Sequence, residues 1–452
     1  MSSIRSLGRK LAYEGIDDTD PVDTNADAAE LEGRSDATAQ QEILADAEEI
    51  VSIDSAIEDI LEGTDVLEDQ AAIVDPEVTG DAGVAPETAE AIQVSVESFR
   101  KRLGITRVIT FPAREDYTNK NTRVQAGVYC HEGVWETIKD AWKKVVAFFK
   151  SMFAKVKAFV IRIVTAIGRL KARAESLKAK CGKTRGEKKE DTFKNKRIAN
   201  AFTDKSGKFK TSNITEQLTT VAKDTPALAE VAKLAAAAVK EVAEKVKGMN
   251  VKTVGEIEKV TAQFNDIADG VLLKSLAIAK VEADTNTKKE FTAIKAYTTP
   301  ALPGNRALVF YSTGVAGKKI TIHMAEVNLG ATKDIDEEIE VAKTSEINHI
   351  CDLTIEVAEA LEKLSKAEEK DDSVVKTIEE LSNKIEGKVK ESEKDKATLT
   401  AAKEALSDAR QACLSNGRFA ASITTKWASI ALFGAGKALD YAAESLSCYE
   451  AE

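Results

Sequence analysis

The side chains best able to carry chemistry in this chain are three histidines, His131, His323 and His349, and five cysteines, Cys130, Cys181, Cys351, Cys413 and Cys448. A tetrahedral metal site needs about four such donors brought together, usually in closely spaced pairs. Cys130-His131 and His349-Ile350-Cys351 each lack the second pair, and no two cysteines stand as C-x-x-C. An odd, scattered set of cysteines also fits no disulfide framework, so a reducing compartment is expected and no metal ligand is assigned. Gly182-Lys183-Thr184 is like the end of a phosphate-binding loop, but Leu177 stands where its first glycine belongs and a helical pattern precedes it. Gly434-Ala435-Gly436 is too short for a dinucleotide turn and suits close helix packing. Carboxylates are so numerous that no pair stands out as acid and base. No catalytic residue or cofactor is assigned, and an enzyme is not expected.

The chemistry that stands out would be done to the chain, at one peptide bond. Residues 17–97 hold 25 Asp and Glu against Arg34 alone, a net of −24. Residues 98–199 hold 26 Lys and Arg against 9 acids, a net of +17. Ser95-Val96-Glu97 closes the first stretch and Ser98-Phe99-Arg100-Lys101-Arg102 opens the second. The intact chain has a net charge of −11, whereas residues 98–452 alone hold 60 basic and 49 acidic residues, a net of +11. Hydrolysis at the junction would turn a molecule that repels a polyanion into one that attracts it. On composition the acidic stretch reads either as a solvated tail or as a removable mask.

The elements around this junction follow from composition and period. At 452 residues the chain is long enough for two or three domains. Seven prolines and abundant Ala, Glu, Lys, Val and Ile predict a mainly α fold with long amphipathic helices, helical hairpins and one small β-hairpin. No apolar run of 18 residues is present, so no spanning helix is expected. Residues 1–14 read as a basic amphipathic peptide with Ile4, Leu7 and Leu11 on one face. Residues 15–97 read as disordered, although 39–61 carry Ile43, Ala47, Ile50, Ile57 and Leu61 at helical spacing. An irregular linker over 98–132 includes a short strand at 107–111.

Residues 133–200 hold the strongest periodic signal. Val134, Trp135, Ile138, Trp142, Val145, Phe149, Met152, Phe153, Val156, Phe159, Ile163, Ile167 and Leu170 recur every three or four positions, with lysines and arginines on the other faces. That stripe suits a core wall, a membrane-surface helix or, through its lysines, a nucleic-acid contact. Residues 201–296 read as helical, with a capping box at Asn213-Ile214-Thr215-Glu216, a restart at Pro226 and a helix over 251–295. Residues 297–330 read as a hairpin of strands 306–313 and 318–327, needing another partner such as 107–111. Residues 331–452 read as helical hairpins bending near Asp371-Asp372 and Gly387, ending in a buried helix over 418–446.

Three short patterns then take on meaning together. Ala12-Tyr13-Glu14 ends the basic N-terminal peptide, Ser95-Val96-Glu97 ends the acidic segment, and Cys130-His131-Glu132 immediately precedes the Trp-rich helix. Small residue, any residue, Glu is similar to the cleavage motif of the prohead proteases of large tailed bacteriophages. With the hairpin opening at Leu302-Pro303-Gly304-Asn305-Arg306-Ala307-Leu308, the chain resembles the internal head (inner-body) proteins of the phiKZ-like jumbo phages. The resemblance implies a propeptide trimmed in the prohead, and a mature protein held in the capsid with packaged DNA. It implies Glu14, Glu97 and Glu132 as P1 residues, although Cys130 departs from the preferred Ser, Ala or Gly.

The expected function is therefore a non-enzymatic virion structural protein of the capsid interior, present in the host cytoplasm during assembly and packaged, or also ejected, with the genome. Its expected partners are other inner-head proteins, the prohead protease and DNA held without sequence preference. Arg100, Lys101, Arg102, Lys143, Lys144, Lys150 and Lys155 are the candidate phosphate or partner contacts. The alternative is a membrane-active helical protein that lays residues 133–170 on a bilayer.

Overall fold

The structure, a computed structural model, describes residues 36–106, 109–117, 119–203, 209–279, 281–315, 318–329, 338–368, 373–392 and 396–451. They fall into two compact units. One contains Glu49–Ala154; the other contains residues 36–48 and Lys155–Glu452. The mainly α fold is present as expected.

The first unit takes helix α1 (Asp36–Ile73) from Glu49 onward, α2 (Pro76–Thr79), α3 (Pro86–Arg102) and the start of α4 (Lys120–Cys181). The expectation of disorder over 15–97 is corrected for residues 36–97, which are largely helical; residues 1–35 lie outside the described residues. Ile50, Ile53, Ile57, Ile60 and Leu67 return at helical spacing and are at most 5% exposed. Each such burial stabilises by roughly 1.5–3 kcal/mol. Like-charge neighbours one turn apart on the opposite face cost only a few tenths each. The apolar stripe outweighs the acidity that suggested a tail.

Helix α3 is well marked at both ends. Pro86 stands in its first turn with Glu87, and Arg100, Lys101 and Arg102 in its last turn complement the helix dipole. At its C-terminus Ile105 N–H donates to Arg100 O at 3.0 Å and Gly104 N–H to Lys101 O at 3.2 Å. This is a Schellman closure, made possible by Gly104 at φ +63°. Gly63 lets α1 approach α3, since a Cβ there would overlap the Phe99 ring.

The linker expected over 98–132 shrinks to 103–119. Of the strand expected at 107–111, residues 107–108 lie outside the described residues and 109–111 form none. Instead Ile109 and Phe111 lie against Gly133. Helix α4 begins at Lys120, earlier than Gly133, because Asn119 Oδ1 accepts from Thr122 N–H at 3.0 Å and caps it.

In the second unit, α4 continues to Cys181. Next come β1 (Thr184–Lys188), β2 (Thr192–Lys194), α5 (Lys196–Phe202), α6 (Thr211–Gly248) and α7 (Val254–Ala279). A four-stranded antiparallel sheet of β3 (Val281–Glu282), β4 (Lys295–Thr298), β5 (Arg306–Val315) and β6 (Lys318–Asn328) follows, with α8 (Thr285–Glu290) between β3 and β4. Then come β7 (Glu338–Glu340), α9 (Thr344–Glu368), α10 (Ser373–Ser392), α11 (Lys396–Ser447) and β8 (Tyr449–Ala451). Strand β1 pairs with β8, and β2 with β7, both antiparallel.

Helix α11 is the axis of this unit, packing against α6, α7, α9, α10 and β6. Trp427, Tyr441 and Phe419 on it are at most 1% exposed. Trp427 Nε1 donates to Thr225 Oγ1 of α6 at 2.8 Å, and the Tyr441 hydroxyl donates to Glu340 O at 2.9 Å. Where a short last helix over 418–446 was expected, one helix starts at Lys396. Pro226 lies inside α6 and does not restart it, and the Asn213 capping box does not form, because Asn213 Nδ2 instead donates to Phe202 O. Gly387 lies within α10 without ending it; Asp371 and Asp372 lie outside the described residues.

The hairpin is present, with Tyr311 opposite His323. Its extra partner is β4, not 107–111, so the helix expected over 251–295 ends at Ala279 and gives way to strands. The turn before β5 uses Gly304 (φ +84°) and Asn305 (φ +56°) and seats Pro303 on Gly434 of α11.

Candidate processing sites and basic surface

Glu97 lies on α3 with its carboxylate exposed, accepting from Gln93 Nε2 at 2.8 Å. The positions before it are engaged: Val96 is fully buried, and Ser95 Oγ accepts from Gln70 Nε2 of α1 at 3.0 Å. After the junction Phe99 is buried. Arg100 is 5% exposed, donating to Thr137 Oγ1 at 3.2 Å and pairing with Asp140 at 3.3 Å. Burial pulls the Asp140 carboxyl up, but Lys143 and Arg100 outweigh it and hold the pKa below the usual carboxylate value.

Glu132 is likewise exposed on a helix whose preceding residues face inward. Cys130 is fully buried, and burial pushes its thiol up to about 11 against the opposing hydrogen bond from Tyr117. His131 Nε2 accepts from Trp135 Nε1 at 2.9 Å and lies 4.0 Å from Asp75 Oδ2. Glu14 lies outside the described residues. Proteolysis favours exposed, irregular chain, so a cut after Glu97 or Glu132 requires the local helix to open.

The basic candidates divide. Arg100 is a correction: its guanidinium belongs to a buried network with Thr137 and Asp140 and is not presented to a phosphate. Composition marked it as one of three adjacent cations; the missed signal is Thr137 and Asp140, three apart on one helix face. Lys101 and Arg102 are exposed, with the Arg102 guanidinium 5.3 Å from the Phe99 ring centre. Lys143 is exposed and bonded to Asp140 at 3.1 Å, Lys144 and Lys150 are exposed, and Lys155 is half-buried.

Farther along α4 four basic residues are paired within the second unit. Arg162 pairs with Asp46, Lys171 with Glu362 at 2.8 Å, Arg173 with Asp440 at 2.8 Å, and Lys178 with Asp352. A cleft beside them lined by Arg173, Arg197, Lys437, Asp440 and Glu444 has nearly balanced charge.

Val134, Ile138, Trp142, Phe149, Phe159 and Ile163 are all buried, so of the three roles open to the stripe these residues take that of core wall. Among the described residues no helix is long and apolar enough to cross a membrane, and no His, Cys, Asp and Glu cluster could hold a metal ion. Gly182 and Lys183 follow the end of α4 and precede β1, the reverse of the strand-to-helix order a phosphate loop needs.

Long helices and a charge distribution split along the sequence characterise the described residues as a mainly helical protein. A family model of phiKZ-like phage internal head proteins matches residues 21–425, and the chain belongs to that family. An internal head protein has its place inside the phage capsid. No curated protein and no solved structure matches the chain.

Proposed function

We propose that the chain is a non-enzymatic structural protein of the capsid interior, cut by the phage's prohead protease during head maturation and retained with the packaged DNA. Its family membership over residues 21–425 carries this reading. Glu14, Glu97 and Glu132 are the proposed P1 residues. The last two are cut from opened forms of α3 and α4, in the host cytoplasm as heads assemble. The partners are other inner-head proteins and, through Lys101, Arg102, Lys143, Lys144, Lys150 and Lys155, DNA phosphates without base reading. Entry into the host with the genome is a further step of the same reading.

Mass spectrometry of the protein from mature heads tests the processing. N-termini at Gly15, Ser98 or Gly133 are expected; a chain beginning at Met1 throughout would refute it. The DNA contact has its own test, the slope of log K against log salt. Changing Lys143, Lys144 and Lys150 together to Gln should lower that slope by about 0.9 for each phosphate left without its lysine. An unchanged slope would remove these lysines from the DNA-binding surface.

A further inference from the structure

The acidic segment is woven into both units, each taken by itself. In the first, Ile53, Ile57, Ile60, Leu67, Ile92 and Val96, all before the charge junction, are at most 5% exposed. Across the junction Gly63 closes on Phe99, and Val84 lies against Gly127 so closely that a Cβ there would stand 2.9 Å from it. Asp75 faces His131 at 4.0 Å. In the second unit Ile43 is 3% exposed and Asp46 pairs with Arg162. None of these contacts depends on the peptide bond between Glu97 and Ser98.

We infer that residues 36–97 are a constitutive part of the fold which a break at Glu97–Ser98 does not release, leaving two chains held in one molecule. Parting them would expose apolar faces on both pieces, which is the cost that holds them together. The net charge of the cut molecule then stays at −11, and the +11 of residues 98–452 appears only when α1 to α3 are themselves unfolded or degraded. This deepens the processing reading: one cut is insufficient to reverse the charge.

The test uses the full chain with a recognition sequence for an unrelated site-specific protease inserted between Glu97 and Ser98. After cutting, the two pieces should co-elute in equimolar amounts on gel filtration, stay unretained on a cation exchanger, and separate only in urea. Release of residues 1–97 with retention of 98–452 on the exchanger would overturn the inference. Should the folded α3 resist cutting, residues 1–97 and 98–452 are co-expressed as separate chains with a tag on the second. Recovery of the first with the tag supports the inference, and its absence overturns it. Failure of the phage protease to cut after Glu97 would count against the processing reading alone, and release after the engineered cut against this inference alone.

Discussion

Arg100 stands where the chain turns from acidic to basic, and its environment decides its role. With a side chain 6% exposed, paired to Asp140 and bonded to Thr137, it is a buried ion-pair member whose loss leaves charge uncompensated. Arg100→Ala is expected to cost about 3 kcal/mol in urea unfolding, whereas Lys101→Ala, on the exposed side of the same turn, should stay within about 0.5. Asp440 contributes, with Asp140, to the pH dependence. Burial raises its pKa, but hydrogen bonds from Lys437 and Arg173 outweigh burial and leave it below the ordinary 3.8. A native pKa below the unfolded value means stability fully present above 3.8 and lost as pH falls toward the native value. The thermal midpoint should therefore drop as pH falls below about 4, and less steeply in Asp440→Asn, by calorimetry across that range.

Helix-helix contacts turn on a few glycines, and these were only partly legible. Gly434 was marked by its spacing with Gly436 as a close-packing position, and Pro303 does seat against it. Gly387 looked like a bend, yet it lies within α10 with open space where a Cβ would be. The two should respond oppositely: Gly434→Ala should destabilise by about 1–3 kcal/mol through overlap with Pro303. Gly387→Ala should stabilise by about 0.5–1 kcal/mol through helix propensity. Chemical denaturation midpoints of both variants check the pair. Pro226 misled in the same way. A lone proline marks a break on local grounds, but Thr225 and Leu228 are buried around it and Trp427 bonds to Thr225, so packing carries α6 through.

For the whole molecule, the apolar stripe of α4, the hairpin and the helical class were readable because each has its own period. The fate of the acidic segment was not. Its net charge suggested solvation, while its isoleucines, set three, four and seven apart, predicted burial. Which effect wins depends on partner surfaces that no local window contains. The same holds for the start of β4: Lys295 looks like a helix tail until β5 is available to pair with it. Of the candidate sites, the positions of Glu97 and Glu132 were visible, but their helical setting and the withdrawal of Arg100 from the surface were not. Arg162, Lys171, Arg173 and Lys178 were indistinguishable from DNA contacts until Asp46, Glu362, Asp440 and Asp352 met them.

If the chain is processed as proposed, the closure of α3 at Gly104 would give that maturation a clock. A protease that waits for α3 to open cuts at a rate set by the fraction of time the helix is unlatched, when reclosing outruns cleavage. Gly104 alone among the latch residues takes a left-handed backbone, at φ +63°. Gly104→Ala should cost about 1 kcal/mol there and raise the open fraction about fivefold. Scission after Glu97 should quicken by the same factor in a timed digest, while a site in an already irregular segment keeps its pace. Tuning one turn would reset when, during head assembly, the first incision falls.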